Sequence, residues 1–417
     1  MKNNTRNLPR PLEGFTVIDF TTALAGPYAT LLLAGLGARI IKVENPLAPD
    51  SARGNSPYVG RTGVTLRRNH DDDMSVAMAD RGRNKLSITL NMKHARAKKL
   101  FADLVQHADA LVENYAAGTA DRLGMGYAAT AALNPRIVYT SISGFGADQV
   151  SGQNKAMDTI VQALSGLMMT SGEAGGAPIR VGVPFGDLSA PLFAVIGTIA
   201  ALLQAQRTGL GQQVDVSLLG AVTSMVACEP FEALERAGLE TRTGNTMPRL
   251  APFGIFPTLD GYISICAPRP NMAAALFAVM GTPELSKDER FSSRDGCVKN
   301  NKELHALVEA WTRMHSTSEA AVQLEQAGVP SGPVRRPAEG VRDPRLLARG
   351  ETEQIEHPKY GKMDQLFGGG MPILMSGSFT GFDRPAPTLG EHNDLVYREL
   401  LGYSSDDITT LKQDGVI

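Results

Sequence analysis

The chain has 417 residues and carries 41 lysines and arginines against 43 aspartates and glutamates, so its formal net charge is 41 − 43 = −2. At about 150 residues per domain, this length predicts two or three domains. Hydrophobic residues make up 43% of the chain and charged residues 20%, which is typical of a globular protein with a large core. No lysine- or arginine-rich tract offers a binding surface for nucleic acid or an anionic membrane, so we expect neither as a partner.

The cysteines and histidines do not form a recognisable metal or disulfide pattern. Cys228, Cys266 and Cys297 are an odd number without CxxC spacing, which argues against a disulfide framework and a zinc knuckle. The seven histidines are scattered, with no HExxH pattern among them. We therefore expect no metal site.

The hydropathy of the chain predicts neither a signal peptide nor a membrane-spanning helix. Residues 1–11 are polar and lack the apolar run of a signal peptide. The longest apolar stretch, residues 190–203, is shorter than the roughly 20 residues that cross a bilayer, and we predict a buried helix there. A cytoplasmic protein is expected.

Strand-like and helix-like patterns alternate through the first half of the chain. The predicted strands are residues 15–20, 38–44, 85–90, 110–114 and 136–142. The predicted helices are residues 27–36, 93–107, 159–170 and 188–206. Strands that are joined through helices pair in parallel, so this region predicts a Rossmann-like α/β domain.

The pattern changes near residues 236–252, which form a polar linker. Beyond it, a strand pair at 254–256 and 262–266 and helices at 272–280 and 302–314 predict a smaller α+β segment. A turn-rich stretch at 327–333 ends this segment, and the tail contains a predicted helix at 395–401.

The early glycines do not form a nucleotide-binding motif. A dinucleotide fingerprint, GxGxxG, lies between the first strand and its helix. Here Gly35 and Gly37 follow the helix, where glycine commonly serves as a C-terminal cap. There is also no Walker A sequence, so we do not expect chemistry that depends on NAD or ATP.

A series of short motifs nevertheless occurs in a defined order. Asp19-Phe20, Ala25-Gly26-Pro27 and the sequence LGARIIKVENP at 36–46 resemble the opening of the family III CoA-transferases. The resemblance continues along nearly the whole chain, at residues 83–91 (RNKLSITLN), 111–115 (LVENY), 122–124, 134–135, 166–168, 186–187, 207–212 and 389–392.

This family moves coenzyme A between carboxylic acids through a covalent aspartyl intermediate, without a tightly bound cofactor. The resemblance implies that Asp187 is the nucleophile and that acyl-CoA and a carboxylic acid are the substrates. The residues alone favour a different role for Asp187, as the N-cap of the apolar helix that follows it. The two roles are compatible, because a helix N-terminus keeps a carboxylate ionised.

The resemblance also implies a CoA-binding site. Lysine and arginine suit the phosphates of CoA, and an aromatic ring suits its adenine. Many family members carry an arginine where Asn45 stands, which removes one expected phosphate contact. The residues implied to line the site are Leu24, Ala25, Asn45, Lys85, Leu90, Asn114, Tyr115, Arg122 and Lys155.

Two alternatives to a transferase stay open. Racemases of the family resemble this chain in having an aspartate where Asp158 stands, but their histidine is replaced by Phe145, which lies between Gly144 and Gly146. Phenylalanine carries no proton for racemisation, and Asp158 then suits the N-cap of the following helix. The other alternative is a non-catalytic CoA-binding subunit of a heteromeric transferase, which would have no need for the carboxylate of Asp187.

Several arginines suggest a substrate with a second carboxylate. These residues are Arg53, Arg67, Arg68, Arg249 and Arg269, and they favour succinyl-CoA or a similar donor with a dicarboxylic acceptor. Some family members close the active site with a glycine-rich loop in the small domain. This chain lacks such a run there, and we interpret the glycines at 368–370 as a tight turn before a strand.

The resemblance finally implies an architecture. The family combines a large α/β domain, built from the N-terminal part and the C-terminal segment, with a smaller domain between them. For this chain we predict an N-terminal part at 1–235, a small domain at 236–335 and a returning segment at 336–417. An interlocked dimer is expected, either of two identical chains or of this chain with a homologue.

Overall fold

The computed structural model describes residues 7–147, 156–247 and 249–417. The strands are β1 (Thr16–Phe20), β2 (Arg39–Glu44), β3 (Tyr58–Gly60), β4 (Gly63–Thr65), β5 (Met74–Ser75), β6 (Lys85–Thr89), β7 (Ala110–Glu113), β8 (Val138–Ser143), β9 (Gln213–Ser217), β10 (Thr246–Met247), β11 (Leu250–Pro257), β12 (Tyr262–Cys266), β13 (Ser331–Pro333), β14 (Thr352–His357) and β15 (Gly361–Gly369).

Helices connect and flank these strands. They are α1 (Ala25–Gly35), α2 (Val76–Arg81), α3 (Ala97–Gln106), α4 (Thr119–Arg122), α5 (Tyr127–Leu133), α6 (Asp158–Leu164), α7 (Phe185–Thr208), α8 (Leu218–Val226), α9 (Phe231–Arg236), α10 (Pro270–Val279), α11 (Arg294–Lys299), α12 (Asn301–Thr312), α13 (Thr317–Gln326), α14 (Pro337–Gly340), α15 (Pro344–Arg349) and α16 (Ser405–Gln413). A π-helical turn at Leu395–Leu400 precedes α16.

A six-stranded parallel sheet in the order β6-β2-β1-β7-β8-β9 organises the described part of the large unit. The predicted α/β class with a large parallel sheet is therefore confirmed. From β1 at the centre, β2 and β6 extend the sheet on one side, and β7, β8 and β9 extend it on the other. Ligands of such sheets bind at the carboxyl ends of the strands, next to this change of direction.

The central strands are buried on both faces, which explains why they are almost continuously apolar. All five residues of β1 are buried, as are all five of β6. The core of the sheet contains Ile18, Phe20, Ile41, Phe101 and Tyr139, together with Tyr397 from the C-terminal part of the chain.

The C-terminal segment covers the edge strand β6 by hydrogen bonds. The carboxamide oxygen of Asn393 accepts from the Thr89 amide at 2.8 Å, and the hydroxyl of Tyr397 donates to the Thr89 carbonyl at 2.7 Å. His392 accepts from the amide of Ser87 through Nδ1 at 3.2 Å. The motif at 389–392 therefore closes an exposed strand edge that would otherwise leave backbone groups unpaired.

Helix α7 is longer than its apolar stretch predicts, with 24 residues. Among the described residues it is the one helix long and apolar enough to cross a membrane, and half of its most apolar window is buried. A core helix of a soluble protein meets the same two criteria. Its Thr198 hydroxyl lies 2.7 Å from that of Thr140 in β8, and a Cβ on Gly197 would approach Val214 of β9 to 2.6 Å.

The described chain separates into two compact units. Unit 1 contains Met1–Ser165, Gly182–Met225 and Val341–Ile417, and unit 2 contains Gly166–Val181 and Val226–Gly340. In unit 2 an antiparallel sheet, β10-β11-β12-β13, packs its apolar face against helices, with Phe256, Ile263 and Trp311 in the core. The domain limits at 235 and 335, the interlocked dimer and the cytoplasmic location stay predictions.

Sequence patterns missed several short elements. The sixth strand, β9, alternates in burial and is not a continuous apolar run. The small sheet β4-β3-β5 and the hairpin β14-β15 contain short or polar strands with weak periodicity. Helix α6 ends at Leu164, because Ser165 and Gly166 interrupt it, with Gly166 at φ +83°.

Candidate active site

Asp187 lies in the first turn of α7, at the amino end of a long buried helix. The N-cap of this helix is Pro184, and Asp187 is the third helical residue, so its predicted role as an N-cap is wrong. The side chain is half-buried, and within the described part of the chain no hydrogen bond reaches its carboxylate. Its carboxylate oxygens are therefore open to water or to a ligand.

Burial and, to a smaller extent, the charge of Asp158 raise the pKa of Asp187 to about 6, although the charge of Arg81 opposes both. We had expected the helix N-terminus to keep this carboxylate ionised. Its position in the first turn supports that effect, but the loss of water and a neighbouring carboxylate outweigh it. Asp187 is consequently a more basic carboxylate than an exposed aspartate.

In contrast to Asp187, Asp158 accepts hydrogen bonds through both of its carboxylate oxygens. It is the first residue of α6, whose N-cap is Met157, so the predicted N-cap role of Asp158 is also wrong. One carboxylate oxygen accepts from the amide of Gly186 at 2.7 Å, and the other accepts from the side chain of Gln162 at 2.8 Å. Asp158 therefore fixes the backbone immediately before Asp187.

Gly186 lets α6 and the start of α7 pack closely. A Cβ at this position would lie 3.3 Å from the carboxylate of Asp158 and 3.2 Å from Val161. Both distances are tighter than ordinary van der Waals contact. A larger residue would therefore require the neighbouring atoms to shift by a few tenths of an ångström.

Residues 21–24, the β1–α1 loop, are held by side chains from three other segments. Asn114, directly after β7, accepts from the Thr22 amide at 2.8 Å and donates to the Thr22 carbonyl at 2.9 Å. Asp50 accepts from the Ala23 amide at 2.8 Å. Ala23 adopts φ +65°, a strained value for a residue with a Cβ, which persists only where surrounding contacts impose it.

Buried charges beneath the loop complete this support. Asp19 pairs with Lys85 at 3.0 Å, and Lys42 pairs with Asp50 at 2.9 Å, with all four side chains almost fully buried. Lys42 also donates to the Thr21 carbonyl at 2.9 Å. Burial by itself would raise the pKa of Asp19, but Lys85 and Lys42 hold it at about 2.

The side chains of Lys85 and Leu90 are engaged within the protein. The ammonium of Lys85 donates to Asp19, to the Pro27 carbonyl at 3.0 Å and to the Thr30 hydroxyl at 2.7 Å, which uses all three of its N–H groups. Leu90 is 1% exposed and belongs to the core of the sheet. These side chains do not support the predicted CoA contacts, which stay predictions.

The remaining predicted CoA-binding residues lie at the carboxyl edge of the sheet. Leu24 and Ala25 begin α1, Asn45 follows β2, and Asn114 with Tyr115 follows β7. Their side chains differ in how free they are to contact a ligand. Arg122 is exposed, and within the described residues its guanidinium donates one hydrogen bond, to Thr119 at 2.7 Å. The Asn114 carboxamide is already hydrogen-bonded to the backbone of the β1–α1 loop. Lys155 lies outside the described residues.

Most arginines proposed for a second carboxylate already have partners or lie on the surface. Arg53 donates twice to Glu44, at 2.7 and 2.6 Å, and Arg249 pairs with Glu229 at 2.6 Å. Arg68 donates to a backbone carbonyl, and Arg67 and Arg269 are exposed. Arg53 in particular has no free donor face toward a substrate.

Sequence reasoning missed Arg81, the last residue of α2. Its Nε is buried without a hydrogen-bond partner, and no hydrogen bond or ion pair within the described residues involves its guanidinium. Burial lowers the pKa of Arg81, while the carboxylates of Asp80, Asp50 and Asp187 oppose that change. The sequence feature that could have drawn notice to Arg81 is its position two residues before Arg83, where the motif at 83–91 begins.

The glycines at 368–370 are not a turn before a strand, as predicted, since Gly368 and Gly369 belong to β15 itself. A Cβ on Gly368 would approach the Asp80 carboxylate to 2.3 Å, and one on Gly370 would approach the Gly350 carbonyl to 1.9 Å. Close packing therefore requires glycine here. Among the described residues, no cluster of histidine, cysteine, aspartate or glutamate has the arrangement of a metal site.

Comparison with known proteins gives a consistent result. Residues 12–393 match the family described as CoA-transferase family III. The chain is 33% identical to the succinyl-CoA–D-citramalate CoA-transferase of Chloroflexus aurantiacus, over 98% of each chain. It is also 33% identical to the human succinyl-CoA:glutarate CoA-transferase, over 98% of this chain and 90% of the relative.

A solved structure has the same fold. The crystal structure of a CAIB/BAIF family protein from Brucella suis superimposes with a TM-score of 0.81 at 30% sequence identity. The superposition covers 94% of this chain and 100% of the other.

Proposed function

The chain belongs to family III of the CoA-transferases, and we propose that it moves CoA from succinyl-CoA or a similar donor to a small dicarboxylic acid, with Asp187 as the nucleophile. The enzyme class and the use of CoA thioesters and acids follow from the family. The choice of acids and the role of each residue are our proposals.

The carboxylate of Asp187 carries the proposal. It lies at a helix N-terminus, is half-buried and receives no hydrogen bond from the described residues. Its pKa of about 6 leaves it mostly ionised at neutral pH and makes it a better nucleophile than an exposed aspartate. The amides of the first turn of α7 favour negative charge that develops there.

The reaction then proceeds by exchange of acyl bonds. A carboxylate oxygen of Asp187 attacks the donor carbonyl, the C–S bond breaks, and CoA leaves as a thiolate with a mixed anhydride on Asp187. The thiolate attacks the aspartyl carbonyl, the anhydride C–O bond breaks, and the donor acid leaves. The acceptor carboxylate attacks the aspartyl thioester, and the same two steps in reverse give the new acyl-CoA.

The held β1–α1 loop supports a rigid place for CoA at the carboxyl edge of the sheet. The β1–α1 loop and the residues after β7 flank the point where strand order changes direction, and buried charges hold the loop. We propose that Leu24, Ala25, Asn45, Tyr115 and Arg122 line the CoA site, with Asn114 acting through the loop. The exposed Arg122 is the available phosphate contact among them.

Two observations support a dicarboxylic substrate. The compared relatives are named for succinyl-CoA together with citramalate or glutarate, which are acids with two carboxylates. This chain also has a partly buried cation, Arg81, which has no hydrogen-bond partner within the described residues and whose charge lowers the pKa of Asp187.

The test is an incubation of the purified protein with succinyl-CoA, acetyl-CoA and a panel of acids, followed by mass spectrometry of the acyl-CoA products. A borohydride quench reduces an aspartyl thioester and marks the peptide that carries it. We expect new thioesters, and the mark on Asp187, from the wild type but not from Asp187→Ala.

Three other results would contradict the proposal. Transfer that survives in Asp187→Ala would exclude this residue as the nucleophile. Absence of any transfer, with solvent deuterium entering the α-position of an acyl-CoA, would indicate a racemase. Absence of both reactions would favour a non-catalytic subunit, and addition of a homologous chain would then be required for turnover.

A further inference from the structure

We propose that Asp50 is a positioning residue, which holds Ala23 in a left-handed backbone conformation and thereby presents Leu24 and Ala25 to CoA. This inference rests on the proposed function, because Leu24 and Ala25 line the CoA site under that proposal. Asp50 is 3% exposed, so it acts through the loop and not by contact with the ligand. It adds a residue that the sequence motifs did not single out for this role.

Ala23 has a backbone conformation that residues with a Cβ rarely adopt. Its φ is +65°, in the left-handed region where the Cβ crowds the following carbonyl oxygen. The side chain of Ala23 is exposed, so packing of its methyl group does not impose this conformation. The backbone amide of Ala23 instead donates to Asp50 at 2.8 Å, directly after Thr22, which Asn114 holds. We therefore attribute the conformation of Ala23 to its hydrogen bond with Asp50.

Asp50 is a rigid acceptor, because other groups fix both of its carboxylate oxygens. The oxygen that accepts from Ala23, Oδ1, also accepts from the Ala52 amide at 2.9 Å. The other oxygen, Oδ2, pairs with the ammonium of Lys42 at 2.9 Å. The backbone amide of Asp50 donates to Glu44 at 3.2 Å. Since the carboxylate is held in this way, the loop is the part that adapts to it.

The conformation of Ala23 sets the direction in which the chain enters α1. Leu24 is the N-cap of α1, without a side-chain cap, and Ala25 is the first residue of the helix. A loop that already has its bound conformation loses little conformational freedom when a ligand binds, so the ligand binds more tightly. Without the hydrogen bond to Asp50, the strain at Ala23 favours other loop conformations. CoA then binds only the fraction of molecules whose loop has the binding conformation.

The experiment measures the Kd of free CoA by isothermal titration calorimetry for the wild type and two variants. Asp50→Ala and Asp50→Asn both remove the charge that pairs with Lys42, so both should lose stability. Only Asp50→Asn keeps a side-chain oxygen for the amide of Ala23. If the loop of Asp50→Ala has the binding conformation about a tenth of the time, the Kd of CoA rises about tenfold. For Asp50→Asn we expect a change within about threefold, because the loop keeps most of its binding conformation.

Asp109→Ala is the matched control. The carboxylate of Asp109 accepts from the amide of Thr16 at 2.8 Å, at the opposite, amino-terminal end of β1. The variant therefore removes a carboxylate that holds the backbone of the same strand but leaves the β1–α1 loop intact. It should lower stability without a change in the Kd of CoA. Circular dichroism melting of each variant reports its stability and whether it is folded.

Other results would overturn the inference. The same Kd for Asp50→Ala and Asp50→Asn, whether raised or unchanged, would show that the hydrogen bond to Ala23 does not determine CoA affinity. A rise for Asp109→Ala as large as that for Asp50→Ala would show a general effect of stability. If Asp50→Ala does not fold, hydrogen exchange of the wild type decides instead: we expect the Ala23 amide to be protected before CoA is added, and protection that arises only with CoA contradicts the proposal. A wild type that binds no CoA would refute the proposed function itself, whereas exchange of the Ala23 amide would still report on Asp50.

Discussion

The β1–α1 loop and the first turn of α7 both contain or rest on aspartates, but these aspartates are paired at the loop and unpaired in the first turn of α7. Beneath the loop, Asp19 and Asp50 are buried, paired with lysines and hydrogen-bonded to the backbone. At the start of α7, Asp187 has neither a cation in contact nor a hydrogen-bond donor within the described residues. The first arrangement holds the loop in place, and the second leaves a carboxylate without protein partners, as the proposed nucleophile requires.

This difference shows how one unit combines rigidity with reactivity. A fully paired buried carboxylate has little tendency to attack a carbonyl, because its lone pairs are occupied. An unpaired carboxylate is costly to bury, so its neighbours must be held by other groups. Asp158 performs that task, since it binds the Gly186 amide and leaves Asp187 free.

The largest expected effect is on activity when the free carboxylate is removed. Asp187→Asn should lower CoA transfer by about 10⁴-fold or more, since the nucleophile is lost. The same change should stabilise the protein at pH 8. The pKa of Asp187 is raised in the folded state, so ionisation above pH 6 opposes folding.

Denaturant midpoints of the wild type and Asp187→Asn should therefore differ most at pH 8 and converge as the pH falls to 4. A variant that is less stable at every pH would show that the carboxylate is a structural group.

The second effect is on stability when the paired carboxylates lose a partner. Lys85→Met should destabilise unit 1 by about 3–5 kcal/mol, because it leaves the buried charge of Asp19 without its closest cation. A denaturant titration measures this loss. The matched control is Arg236→Met in unit 2, which breaks an exposed ion pair with Glu232 and should cost about 0.5 kcal/mol or less.

Addition of Asp19→Asn to Lys85→Met should restore part of the lost stability, since it removes the uncompensated charge. Equal destabilisation by the single and double variants would contradict the role of the ion pair.

The third effect is on the pH dependence of catalysis. The value of kcat/KM should fall below a pKa of about 6, because only ionised Asp187 attacks the donor. Asp158→Asn keeps an acceptor for the Gly186 amide but removes the nearby negative charge, so it should move this acid limb to lower pH. An unchanged limb would show that another group titrates there.

The smallest effect concerns the contact between the two helices. Gly186→Ala places a methyl group 3.2 Å from Val161 and 3.3 Å from Asp158, so the surrounding atoms must shift by a few tenths of an ångström. We expect a loss of about 1 kcal/mol in stability and about a tenfold lower rate. Steady-state kinetics and a denaturant titration measure both, and an unchanged rate would show that the spacing at Asp187 is not critical.

Much of the fold was accessible from local sequence. The apolar β-branched runs of β1, β2, β6 and β8 predict buried strands, because both faces of a parallel sheet are covered. Motif order identified the family, and the position of Gly186 next to Asp187 indicated the reactive turn. The short strands β3 to β5 and the alternating β9 were missed, because isolated strands of a few residues have no distinctive period.

The site itself depended on contacts between distant parts of the chain. The family resemblance implies that Lys85 lines the CoA site, yet its side chain pairs with Asp19, which lies 66 residues earlier. Nothing in the sequence distinguishes Arg81 from the other arginines around it, because the sequence does not show which of them pair with carboxylates.

The sequence by itself therefore determined the α/β class, the family and the position of the proposed nucleophile, since these follow from local periodicity and from motifs of adjacent residues. Only the tertiary structure decided which charged groups are paired and which are free. Pairing depends on distances of about 3 Å between side chains from separate segments, together with the burial that makes an unpaired charge costly. By that physical rule, Lys85 is part of the scaffold, whereas Asp187 and Arg81 have no hydrogen-bond partner within the described residues.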